Sequence, residues 1–326
     1  MELPRRRFLH LAAGAAALPV VPFDALADDA YPSRPIHVIV GFTPGASADV
    51  AARILAESGG PILGQQIVVE NKPGAGSSIA AEYVAHAAKD GYTVFLTTLS
   101  IITNQIINPN AALNLMTDLA PVALLEQGAV VLVVDPASNI HSVEELIALA
   151  KSKPGQVLDA TVIGSLPHFA TELFAQRAGI KLTHVPYPGS PQTIIDLIAG
   201  RATMTFSPAS TVVGQIAAGK IRPLAVAAKK RAAALPDVPT MAEAGMPDFD
   251  TSLWFGLLAP AGTPRPVIEK LAVAARQAMH MPQAVESLSK QGYEPLDAGP
   301  DEFAAYMRSE IARWTEVARN AGMLKS

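Results

Sequence analysis

The residues best placed to do chemistry are hydroxyls and glycines standing between an apolar run and a helical pattern. Phe42-Thr43-Pro44-Gly45-Ala46-Ser47-Ala48-Asp49 follows the β-branched run Ile36 to Val40, and Val50, Ala51, Ile54 and Leu55 then fall at helical spacing. Ser47 is the expected N-cap of this helix, with Asp49 in its first turn opposing the positive helix end. The arrangement returns at Gly76-Ser77-Ser78, at Gly164-Ser165-Leu166-Pro167-His168, at Tyr187-Pro188-Gly189-Ser190 and at Ser207-Pro208-Ala209-Ser210. Each strand-turn-helix step gathers unpaired backbone N–H groups at a helix start, which suits a small anion. A structural turn uses the same residue types, so one loop decides nothing. Five loops facing one cleft would line it with N–H groups and hydroxyls, which hold a carboxylate and can release it.

Catalytic alternatives are thinner. No Gly-x-Ser-x-Gly elbow occurs, Gly59 to Gly64 lacks the lysine of a phosphate loop, and Gly41 to Ala46 lacks dinucleotide spacing. The seven histidines are scattered, and His168 alone shares a loop with a glycine and a serine. His168 and Glu172 lie at i, i+4, but two candidate ligands do not make a zinc site. His168 reads equally as a ring bonded to its own backbone or as a donor to an anionic ligand. A hydrolase using Ser165 with His168 is the enzymatic alternative, and it lacks a third group to orient the histidine. No catalytic residue, metal or cofactor is expected.

These loops need strands to deliver them. Strands at Ile36 to Val40, Ile67 to Glu70 and Val94 to Thr97 alternate with helices at Ser47 to Leu63 and Ile79 to Ala88, which implies parallel βαβ units. A second set has strands at Ala160 to Ile163, Leu182 to Val185 and Met204 to Phe206. Leu119 to Leu125 and Ala129 to Val134 mark a crossing between two domains. Trp254 to Leu258 is a strand that could pair with Ala129 to Val134, and the chain from Pro264 onward reads as helical.

The chain has 326 residues, half of them hydrophobic and 17% charged, with a net charge of −4 and no cysteine. Two ordinary domains fit this length. The charge and the sparse aromatics argue against nucleic acid, and the missing thiol excludes disulfides and a cysteine nucleophile. Arg5-Arg6-Arg7-Phe8-Leu9, an apolar stretch from Leu11 to Val21 and Ala25-Leu26-Ala27 form an export signal over residues 1–27, of twin-arginine or general secretory type. A mature protein in the periplasm of a Gram-negative bacterium, starting near Asp28, is expected.

With these stretches in view, the chain resembles the substrate-binding proteins of the tripartite tricarboxylate transporter family, the Bug proteins. The resemblance rests on YPSRPI (31 to 36), FTPGASAD (42 to 49), VVENKPGAGSSIA (68 to 80), KDGYTVFL (89 to 96), GSLPH (164 to 168), HVPYPGS (184 to 190), AAGKIRPLAV (217 to 226), LPDVPTMAEAGMP (235 to 247) and WFGLLAPAGTP (254 to 264). It implies an α/β, two-domain periplasmic-binding-protein fold of type II, a Venus flytrap whose domains each carry a mainly parallel sheet flanked by helices. The expected limits are 28–127 with 252–326 for the first domain and 128–251 for the second. It further implies a monomeric receptor that hands a small carboxylate to a large and a small membrane subunit; a sensory receptor for a membrane signalling protein is the other reading. Ligand contacts are expected from Phe42, Thr43, Gly45, Ala46, Ser47 and Asp49, from Gly76 and Ser77, from Gly164, Ser165 and His168, and from Tyr187, Gly189, Ser190 and Ser207. Ala46 and Val162 stand where the family usually has glycine, adding side-chain volume near the cleft.

Overall fold

The computed structural model describes residues 31–108, 113–187 and 189–324. The expected export signal, residues 1–27, lies outside them. Strand and helix alternate at first: β1 (Ile36–Val40), α1 (Ser47–Leu63), β2 (Ile67–Asn71), α2 (Ser78–Ala85), β3 (Thr93–Thr98), α3 (Leu99–Ile107) and a short α4 (Leu115–Asp118). β4 (Leu119–Gly128) then leads into β5 (Val130–Val134), with Ala129 alone between them. There follow α5 (Val143–Ser152), β6 (Leu158–Thr161), α6 (Leu166–Ala178), β7 (Thr183–Pro186), α7 (Ser190–Ile198), β8 (Met204–Pro208), α8 (Ala209–Ala217) and β9 (Arg222–Val226). The chain closes with β10 (Leu253–Pro260), α9 (Arg265–Met279), α10 (Pro282–Lys290), β11 (Tyr293–Ala298) and α11 (Pro300–Asn320).

The strands form two sheets, a six-stranded one ordered β11-β4-β10-β3-β1-β2 and a five-stranded one ordered β7-β6-β8-β5-β9. Both are mixed rather than mainly parallel. β1 runs parallel to β2 and β3, and β6 runs parallel to β7 and β8, whereas β4, β5, β9, β10 and β11 pair antiparallel. The parallel strands are joined by crossover helices; of the antiparallel ones, β4, β5, β9 and β10 are those the chain uses to change sheet, and β11 is an edge strand. Two stretches carry it between lobes, Gly128 to Val130 and the segment linking β9 to β10.

Two expectations need correction here. The Trp254 strand pairs with β4 and β3, not with Ala129 to Val134, which lies between β8 and β9. Burial at every position of β10 explains its apolar sequence, and burial does not name a partner. The carboxyl-terminal region is not helical throughout, because β11 adds an edge strand to the larger sheet. Pro295 within it is tolerated at an edge, where a missing N–H costs no ladder bond.

One apolar core runs through both lobes, from Phe95 and Phe255 to Phe174 and Phe206. α11 joins them: Trp314 meets the Phe169 ring of α6 edge-on at 5.7 Å. Its indole and that of Trp254 both donate to Glu310 Oε2, at 3.0 and 3.1 Å.

Glu126, on β4 beside the first crossing, is 1% exposed, and its Oε2 has no partner among the described residues. Burial alone pushes its carboxyl from 4.5 up to about 8. The unfolded chain ionises first, so stability is fully present below the ordinary carboxylate value and is lost as pH rises towards 8. Urea unfolding of the parent should therefore weaken between pH 5 and pH 8 by at least about 2 kcal/mol more than that of Glu126→Gln. Parallel pH profiles would show a carboxyl already ionised in the native state.

Candidate ligand-binding site

The same short device opens a helix in each lobe. Thr43-Pro44-Gly45-Ala46 is a β-turn closed by Ala46 N–H to the Thr43 carbonyl at 3.2 Å, with Gly45 at φ +81°. Proline second and a left-handed residue third are what such a turn requires. Val162-Ile163-Gly164-Ser165 repeats it, with Ser165 N–H on the Val162 carbonyl at 3.0 Å and Gly164 also at φ +81°. In both, the fourth residue is extended and becomes the N-cap, and neither cap side chain bonds to its helix. The cap of α1 is therefore Ala46, and Ser47 is its first helical residue rather than the expected cap. The first N–H groups of each helix remain available.

Asp49 is turned away from the opening. It is 2% exposed and accepts from Gly45 N–H at 2.8 Å, from Arg53 at 2.9 and 3.0 Å, and from Asn71 at 2.9 Å. Burial raises its pKa, but these donors outweigh burial and hold the carboxyl below its usual range. Asn71 also donates to the Phe42 carbonyl at 3.0 Å. The pair braces both ends of the turn.

His168 plays the matching part behind Ser165. Its Nδ1 accepts from Gly164 N–H at 3.2 Å, the ring is 5% exposed, and burial pushes it down to about 4, hence neutral. The ring stands edge-on to His184, with centroids 4.8 Å apart. His184 bridges Asp159 at 2.9 Å and Glu172 at 2.7 Å. Burial works against its charge, yet the two carboxylates raise it to about 9. His168, Glu172 and His184 bring ligand atoms within 4.8 Å of one another, a trio the sequence spacing did not reveal. Accepting at Nδ1 places the His168 proton on Nε2, and both His184 nitrogens are engaged, so no imidazole lone pair is free for a metal. The cluster is a brace. His168 also makes no bond to Ser165 Oγ, which is buried without a partner, so the nucleophile–base contact of a hydrolase is missing here.

A cavity of about 570 Å³ lies between the lobes. Of the residues read from the sequence as ligand contacts, Phe42, Thr43, Gly45, Ala46, Ser47, Ser165, Gly189 and Ser190 line it, and so do Val162 and the apolar Val130, Leu253 and Phe255. Asp49, Gly76, Ser77, Gly164, His168, Tyr187 and Ser207 do not. Ser77 lies under the β1 end, with Oγ on the Gly41 carbonyl at 3.4 Å, and Gly76 faces Asn104. Tyr187 donates to Asp196 at 2.6 Å. Ser207 pairs with Val131, whose side chain belongs to the smaller core of the five-stranded lobe. Thr98, Ser100, Ser210 and Thr211 line the cavity without having been anticipated as ligand contacts.

Five helices, α1, α3, α6, α7 and α8, thus begin on this wall. The caps of four of them, Ala46, Ser165, Gly189 and Pro208, make no side-chain cap bond; only Thr98 caps, on Ser100 N–H at 3.1 Å. Among the described residues, the lining holds no charged side chain. Positive helix ends and hydroxyls around an apolar floor can take an anionic group on an uncharged body.

Residues 51–323 match the family described as tripartite tricarboxylate transporter family receptor. The chain belongs to this family. It is 37% identical to the protein BugT of Bordetella pertussis over 297 residues, covering 90% of this chain and 91% of that one. Its structure is similar to that of R. palustris Rpa4515 with adipate, at TM-score 0.83 and 34% identity, covering 90% and 98% of the two chains. MatC of Rhodopseudomonas palustris with bound malate is similar at TM-score 0.79 and 31% identity, covering 88% and 99%. The two-domain α/β fold is that of solved periplasmic binding proteins.

Proposed function

We propose that the protein is a monomeric periplasmic receptor that closes its two lobes on a small organic carboxylate and presents it to the membrane subunits of a tripartite tricarboxylate transporter. The observation that carries this reading is the set of five helix starts, four without a side-chain cap, on one cavity free of charged side chains. The adipate and malate of the two similar structures are both dicarboxylates, which supports the ligand class. Ala46 and Val162 put methyl groups into the lining, which narrow it and favour a carboxylate with an apolar body. The lobes are taken as 28–127 with 252–326, and 128–251, each end of the second lobe meeting a crossing. Phe42 to Ser47 would supply one wall, with Ser165, Gly189, Ser190 and Ser210 opposite.

A thermal-shift screen of aliphatic and aromatic mono-, di- and tricarboxylates tests this. The true ligand at a hundred times its Kd should stabilise the fold by about 2.7 kcal/mol through mass action. It should also reduce the radius of gyration in solution scattering. No stabilisation by any member of the panel would refute the carboxylate reading, and stabilisation without contraction would refute closure.

A further inference from the structure

Thr103 is a fully buried residue of α3, in the six-stranded lobe, with no part in lining the cavity. Its Oγ1 donates across the lobes to the Gly164 carbonyl at 2.6 Å. The same hydroxyl lies 3.1 Å from the Ser100 carbonyl and 3.4 Å from the Leu99 carbonyl of its own helix. A hydroxyl has one proton, and the shortest and best acceptor here belongs to the other lobe. Gly164 follows β6, which is separated from the crossing strand β5 by β8. Two strand spacings, about 10 Å, therefore lie between the crossing and this bond. A rotation that opens the cavity about the crossings parts Thr103 from Gly164.

Parting leaves neither group stranded. The threonine hydroxyl turns back to a carbonyl one helical turn earlier, as threonine in helices does, and the Gly164 carbonyl meets water. The bond is thus an exchange between two satisfied arrangements, with a small net preference. With the lobes together, Gly164 is held at both ends, its N–H by His168 and its carbonyl by Thr103. The next residue is Ser165, whose unpartnered hydroxyl stands at the cavity wall.

We infer that Thr103 is a positioning residue for the ligand site, an exchangeable latch that takes the Gly164 carbonyl as the lobes close and so sets the Ser165 turn. The inference rests on the carboxylate-receptor reading and deepens it. Its test compares Thr103→Val, which keeps the branched shape and loses the hydroxyl, with Thr103→Ser, which keeps the hydroxyl. With the panel carboxylate that most stabilises the parent, Thr103→Val should release ligand about three- to tenfold faster at an unchanged association rate. Thr103→Ser should stay within about twofold of the parent. With that carboxylate bound, amide exchange over residues 162–166 should quicken in the valine variant and not in the serine variant. Stabilisation of the parent by no carboxylate overturns the receptor reading and the latch with it; where the parent binds, the exchange arm reads the latch alone. Parent-like exchange in the valine variant would overturn the latch, and so would a serine variant as impaired as the valine one.

Discussion

Valine at Gly45 should cost at least about tenfold in carboxylate affinity, equivalent to roughly 1.4 kcal/mol, while sparing most of the fold's stability. Gly45 sits at φ +81°, and a Cβ built there meets nothing within 4 Å. No clash is forced, so the fold loses about 1–2 kcal/mol of stability to backbone strain rather than to a lost packing contact. The branched side chain enters open space in the lining of the cavity, beside the N–H groups that begin α1. Titration calorimetry with the panel's best ligand, together with urea unfolding, separates the two effects. Affinity equal to the parent's would move the anion to another wall.

Asp49→Ala should produce the opposite split, a loss of about 2–4 kcal/mol in unfolding free energy. Removing this acceptor leaves Gly45 N–H, the Arg53 guanidinium and the Asn71 amide without their shared partner. Because native contacts depress its pKa, the contribution is present at neutral pH and is lost as pH falls through the lowered native value. The gap between parent and variant should accordingly close in acid. A variant with full stability and no binding would instead put the carboxylate in contact with ligand.

The contrast between these two residues shows what the sequence disclosed. Gly45 was legible because Pro-Gly ahead of a helical pattern is a local signal with a local cause. Asp49 was read as a site residue because its place in the first turn is local, whereas its orientation depends on Asn71, across the β1–β2 pair. Ser207 failed for a similar reason. Its strand was legible, but the face that each residue presents follows from register with β5, which composition does not encode. Thr98 and Ser100 were missed because Leu99-Ser100-Ile101-Ile102-Thr103 is rich in β-branched residues, which hid a helix that tertiary packing imposes. Ser165 was found by its turn. The bond that Thr103 donates across the lobes to the Gly164 carbonyl was invisible until the two sheets were assembled.

The shared acceptor of Trp254 and Trp314 gives the molecule an optical property. These are the only two indoles in the chain, and one carboxylate oxygen binds both. Trp254 is the second residue of β10, beside the return crossing, and Trp314 touches α6 of the other lobe through Phe169. Tryptophan emission, excited to the red of the tyrosine band, therefore comes wholly from the junction of the lobes, shielded from water. Lobe movement that shifts α6 against α11 alters the surroundings of Trp314 directly and those of Trp254 through Glu310. The two indoles thus give the proposed closure an optical readout that needs no dye, label or engineered residue.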